Sequence, residues 1–102
     1  MAYKKKDQVD ANLRYFYETI MKIETIEECE AIFDDLCTKT ELASISQRLV
    51  VAKMLNEKRV YSDIVAQTGA STATISRVNR SLNYGNDGYE LVFNRMSKKA
   101  EE

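Results

Sequence analysis

From Gln8 to Ile23 the apolar residues Val9, Leu13, Phe16, Ile20 and Ile23 recur at spacings of four, three, four and three. That is the period of one helical face, so the pattern predicts an amphipathic helix over about 8–23. Tyr15, Tyr17 and Met21 widen the stripe beyond what a lone surface helix needs. It can serve as ordinary core or as a dimer interface, and the pattern alone does not choose.

Thr25-Ile26-Glu27-Glu28 has the form of a capping box, in which a Thr and a Glu three residues later satisfy the free N–H groups of a new helix. The predicted helix presents Ile32, Phe33 and Leu36 and runs to about Cys37. Thr38-Lys39-Thr40-Glu41 repeats the signal and opens a third helix to about Glu57, with Leu42, Ile45, Leu49, Ala52 and Leu55 as its expected buried face. Residues 56–59 read as a polar turn. Ser62 is the expected cap of a short helix from Asp63 to Thr68, with Asp63 at its positive end.

Gly69 stops that helix, Ser71 caps another that runs to about Asn83, and residues 83–88 form a loop. A last helix from about Tyr89 to Lys98 is expected to turn Leu91, Val92, Phe93 and Met96 inward, with a disordered tail over 98–102. No strand pattern and no internal repeat interrupts the series. The expected fold is all-α and a single domain over residues 1–102.

Composition agrees with that reading. The chain has 102 residues, 44% hydrophobic, with no proline, no tryptophan and three glycines, which favours helices joined by short turns. No stretch approaches the roughly 20 apolar residues a membrane span needs. The start, MAYKKKDQVD, has positive charge but no apolar segment behind it, so it reads as a solvated arm and not a secretory signal. Cys29 and Cys37 lie eight residues apart on one predicted helix, a rise of about 12 Å. A disulfide needs Cα atoms within about 7 Å, so the two read as small buried thiols of a reducing cytoplasm. The expected location is cytoplasmic.

The segment from Asp63 to Leu82 carries the functional signal. Counting from Tyr61, apolar residues fall at the fourth, fifteenth and eighteenth positions (Ile64, Ile75, Val78) and a glycine at the ninth (Gly69). These offsets match a helix-turn-helix over about 62–83. Ile64 and Val65 would face inward from the first helix, and Ile75 and Val78 from the second. Gly69 adopts the left-handed conformation that ends the first helix, and Ala70 is small enough to sit under the turn.

The outward face of the second helix holds Ser71, Thr72, Ala73, Ser76, Arg77 and Arg80, with no acidic residue between Ser71 and Asn86. Small side chains let a helix sink into the major groove, hydroxyls and methyls meet base edges, and arginines reach phosphates or guanines. These six residues and Ser62 are the candidate DNA contacts. The bland alternative is a helical hairpin that uses Gly69 only as a stop signal.

Charge adds a little. The net charge is −1, but residues 1–40 carry six Lys/Arg against nine Asp/Glu, while residues 41–85 carry six against three. The helix-turn-helix thus lies in the basic part of an otherwise acidic chain.

The run Gln47-Arg48-Leu49-Val50-Val51 and the stretch from Gly69 to Arg77, ending in Ser81-Leu82, resemble the Trp repressor family, most closely its YerC/YecD-type branch. The likeness spans Thr38 to Leu82 most clearly and follows the helix order over nearly the whole chain. It implies an intertwined homodimer of six-helix subunits with interlocking N-terminal helices. It also implies two recognition helices about 34 Å apart on a palindromic operator. The positions matching the family's tryptophan pocket are Thr38, Arg48, Thr74, Arg77 and Ser81, with Arg48 and Arg77 placed to bracket an indole. The neighbour of Arg77 departs from the pattern: tryptophan-binding members have glycine there, and this chain has Val78. The expectation is therefore a DNA-binding regulator that does not answer to tryptophan; a different small-molecule corepressor stays open.

An enzyme is not expected. The chain has no histidine, hence no Ser-His or Cys-His pair and no imidazole metal ligand. No glycine-rich phosphate loop is present, and no metal or membrane partner is implied. The expected partners are double-stranded DNA and a second copy of the chain. The competing class is a helical adaptor that docks on the transcription machinery without specific DNA binding, a reading that the acidic residues 24–35 favour slightly.

Overall fold

The computed structural model describes residues 5–101, with side chains described to Lys98. The described residues form six α-helices and no strand, an all-α fold. The helices are α1 (Lys5–Ile20), α2 (Ile26–Leu36), α3 (Lys39–Asn56), α4 (Tyr61–Thr68), α5 (Thr72–Tyr84) and α6 (Gly88–Glu101). None of them is long and apolar enough to cross a membrane. The chain divides into two compact units, residues 1–38 and 39–102.

In the first unit, α1 is helical from Lys5, the first described residue, so it includes the three residues before the apolar period. It ends at Ile20, earlier than expected. The backbone tightens at that point, with Lys22 N–H on the Thr19 carbonyl and Ile23 N–H on the Ile20 carbonyl. The capping box at Thr25 forms: its side chain accepts from the Glu28 N–H at 3.1 Å. The Glu28 carboxylate reaches back one residue further than the usual box, to the Glu24 N–H at 2.9 Å. Phe16 of α1 meets Phe33 of α2 edge to face at 6.5 Å. Neither helix contains a buried residue, and Val9 and Leu13 stay 50% and 44% exposed. Cys29 and Cys37 are free and half-buried where full burial was expected; Cys37 is the extended C-cap of α2 and not part of the helix.

The second unit has a core of Val51, Ala52, Met54, Ile64, Ala70, Ile75 and Val78, with Leu55, Tyr89 and Phe93 packed against it. α3, α4 and α5 pack on one another around it. The expected buried face of α3 is corrected here. Ala52 is buried and Leu55 partly so, but Ile45 and Leu49 are 47% and 49% exposed. The helix is apolar on two sides. Val51 and Met54 lie on one side and are buried, whereas Ile45, Leu49 and Ala52 share the other, which is buried only at Ala52 near the C-terminal end and stays uncovered at Ile45 and Leu49.

Similar corrections apply elsewhere. Val65 of α4 is exposed, and only Ile64 points inward. In α6, Leu91, Val92 and Met96 are exposed, while Tyr89 and Phe93 face the core as a stacked pair at 5.9 Å. α6 begins at Gly88 and continues to Glu101, so residues 98–101, expected to be disordered, are helical; Glu102 lies outside the described residues.

Candidate nucleic-acid interface

α4, the turn and α5 assemble the helix-turn-helix from local signals. α4 begins earlier than expected. Its N-cap is Val60, not Ser62, and Val60 offers no side-chain hydrogen bond. Ser62 lies exposed in the first turn. Gly69 ends α4 at φ 72, ψ 6, the left-handed conformation, with its N–H on the Val65 carbonyl at 2.9 Å. A Cβ added at Gly69 would meet nothing within 4 Å, so the backbone angle and not crowding calls for glycine.

Thr68 organises this turn, a role the sequence pattern did not reveal. Its hydroxyl donates to the Ile64 carbonyl at 2.7 Å and accepts from the Ala70 N–H at 3.1 Å. The Thr68 carbonyl accepts from Gln47 Nε2 at 3.1 Å, which ties the turn to α3. A threonine just before a C-cap glycine is a legible signal for the first bond; Gln47 lies 21 residues away and has no local signal. Ala70 is buried beneath the turn as expected.

Ser71 caps α5, accepting from the Thr74 N–H at 3.1 Å and donating its hydroxyl to Thr74 Oγ1 at 3.1 Å. Ile75 and Val78 enter the core, and with α5 helical the other faces follow. Thr72, Ala73, Ser76, Arg77 and Arg80 are exposed together with Ser71, so six of the seven candidate DNA contacts share the outer side of α5 and its cap. Ser62 belongs to the other helix of the motif. Among the described residues neither Arg77 nor Arg80 makes an ion pair, so both guanidiniums present their charge to solvent.

Of the candidate pocket residues, Thr38 belongs to the first unit and the other five to the second. Arg48 and Ser81 are exposed and Thr74 is half-buried. Arg48 Nη1 approaches Ser44 Oγ at 3.5 Å and has no acidic partner among the described residues. Val78 is 3% exposed, its side chain enclosed in the core. Beyond these, a cavity of about 570 Å³ opens where the end of α5 meets α6, lined by Leu49, Ser81, Gly85, Tyr89, Val92 and Phe93 among others.

Known proteins share this arrangement. Residues 11–97 match the family model described as Trp repressor protein. The chain is 50% identical over 90 residues to YerC of Bacillus subtilis (strain 168), described as uncharacterized, covering 88% of this chain and 86% of YerC. Among solved structures, a TrpR-like protein from Eubacterium eligens ATCC 27750 superposes with a TM-score of 0.83 at 53% identity, over 85% of this chain and 90% of that one. A Trp repressor candidate from Staphylococcus aureus superposes with a TM-score of 0.83 at 46% identity, over 93% and 96%. With a family match over most of its length and the helix-turn-helix in place, the chain belongs to the Trp repressor family.

Proposed function

We propose that this protein is a sequence-specific DNA-binding transcriptional regulator that acts as a homodimer on a palindromic operator without tryptophan as its effector. The observation that carries the reading is the outer side of α5: Thr72, Ala73, Ser76, Arg77 and Arg80, all exposed, none acidic, on a helix whose cap and turn are held by Ser71, Thr68 and Gly69. Small residues at the N-terminal end admit the helix to the major groove, and two unpaired arginines further along meet phosphates or guanines.

Support for the homodimer comes from apolar surface that one protomer leaves open. Val9 and Leu13 on α1, Ile45 and Leu49 on α3, and Leu91 and Val92 on α6 are all exposed. Apolar surface on this scale marks interfaces in soluble proteins. A two-fold dimer presents its two recognition helices to successive turns of one DNA face, which makes the operator palindromic.

Support for independence from tryptophan comes from Val78. The tryptophan-binding pattern needs a glycine beside Arg77; this chain has Val78, a core residue 3% exposed, whose side chain would take room that an indole needs. Isothermal titration is expected to show no saturable tryptophan binding at micromolar concentration; binding that also tightened operator affinity would refute this part.

The DNA reading is tested by selecting bound duplexes from a random pool, with and without candidate amino acids, and measuring affinity for the winners. Arg77→Ala and Arg80→Ala are each expected to cost about 1–3 kcal/mol of binding while leaving the dimer intact. Affinity should fall steeply with salt. Unchanged affinity in both variants removes the arginines from the interface, and no specific retention at any salt favours the adaptor reading.

A further inference from the structure

The turn between α3 and α4 holds a charge arrangement that the outer face of α5 does not explain. α3 ends in a Schellman motif: the Lys58 N–H donates to the Leu55 carbonyl and the Arg59 N–H to the Met54 carbonyl, both at 3.0 Å, with Lys58 at φ 65. The backbone of Arg59 is thereby pinned just before the N-cap of α4. Its side chain is pinned as well. Nε and Nη2 both donate to Asp63 Oδ2, at 2.9 and 2.8 Å, and the pair is only half-buried.

A guanidinium has two forked edges. Asp63 occupies the Nε–Nη2 edge, and the edge that includes Nη1 has no protein partner among the described residues. Asp63 is also the only acidic residue between Glu57 and Asp87. In a helix-turn-helix the first helix crosses the DNA backbone, where a bare carboxylate would repel phosphate. Asp63 suits the positive end of α4, but an ion pair this exposed contributes little to stability, so the helix terminus accounts for the acid and not for the arginine held against it.

We propose that Arg59 is a DNA-phosphate contact and that Asp63 is the positioning residue that aims its free edge. The inference rests on the DNA-binding reading above and adds a second contact region, at the start of α4. The free edge of the guanidinium matches two phosphate oxygens, a geometry a lysine does not reproduce. Asp63, by holding the opposite edge, both sets the direction of the fork and cancels its own repulsion of the duplex.

The test uses the full chain and a fluorescein-labelled duplex of about 30 base pairs of random sequence, titrated by anisotropy between about 50 and 200 mM KCl. Arg59→Gln is expected to weaken binding about three- to tenfold and to reduce the slope of log K against log salt by about one for each phosphate no longer neutralised. Asp63→Asn removes a negative charge and on charge alone would tighten binding; the expected result is weaker binding, because the guanidinium loses its aim. In the Arg59→Gln background the same Asp63→Asn change is expected to tighten binding. A purely helix-stabilising pair would not produce that reversal of sign. Arg59→Lys, which keeps the charge and threatens the fold least, is expected to keep the salt slope, and in its background Asp63→Asn is expected to tighten binding as in the glutamine background.

Tighter binding by Asp63→Asn alone overturns the proposal. So does an unchanged salt slope in Arg59→Gln when Arg77→Ala lowers it, and in that case the DNA reading stands. If the unaltered chain binds no duplex at any salt, the DNA reading fails and this inference with it.

Discussion

Gly69→Ala isolates the backbone requirement of the helix-turn-helix from everything else at that position. The added Cβ meets nothing within 4 Å, so packing does not enter. What remains is the left-handed conformation at φ 72, which costs an L-residue roughly 1–2 kcal/mol. Against this, alanine restricts the unfolded chain and returns about 0.4–1 kcal/mol. The net is a destabilisation of about 1 kcal/mol, or a fall in Tm of about 4–8 °C for a domain of this size. Urea unfolding at one fixed protein concentration measures it, since any self-association would make apparent stability depend on concentration. Gly69→Asn is the control: asparagine visits the left-handed region more readily and should lose less than alanine. A gain in stability for Gly69→Ala, or an asparagine variant worse than the alanine one, would refute the claim that φ alone calls for glycine. A loss above about 3 kcal/mol would mean that the turn shifts and pulls Ala70 out of the core.

The same reasoning with opposite sign applies to Lys58, a non-glycine residue at φ 65 in the Schellman turn after α3; Lys58→Gly should stabilise by about 0.5–1 kcal/mol in the same urea assay, and a loss of stability would show that the lysine side chain contributes there. Leu13→Glu places a charge on the exposed stripe of α1 and should convert the proposed dimer to monomer in sedimentation equilibrium, whereas an unchanged mass would show that this stripe is not an interface.

Much of the fold was legible because its signals are local. Thr25 and Ser71 were readable as caps, since a hydroxyl three residues ahead of the N–H it accepts is a matter of spacing. Gly69 was readable as a stop because few other residues adopt its backbone angle. The outer side of α5 followed from the positions of Ile75 and Val78, because one buried stripe on a helix fixes all its other faces.

Other features could not be read so. The buried side of α3 was assigned to a single stripe, yet the helix is apolar on two sides, and periodicity does not say which one α4 and α5 will cover. Ser62 looked like a cap because it is a serine before an acidic residue. The Schellman turn at Lys58 and Arg59 starts α4 earlier, and the ion pair of Arg59 with Asp63 accompanies its first turn.

By itself, then, the sequence determined the helical series, the glycine-centred turn and the acid-free face, all of which depend on neighbours within about one or two helical turns. Tertiary structure decided which apolar residues are core and which stay open, and it brought Gln47 to the Thr68 carbonyl across 21 residues. The physical reason is that burial is a property of what comes to lie against a side chain, and no pattern along one helix contains its partner.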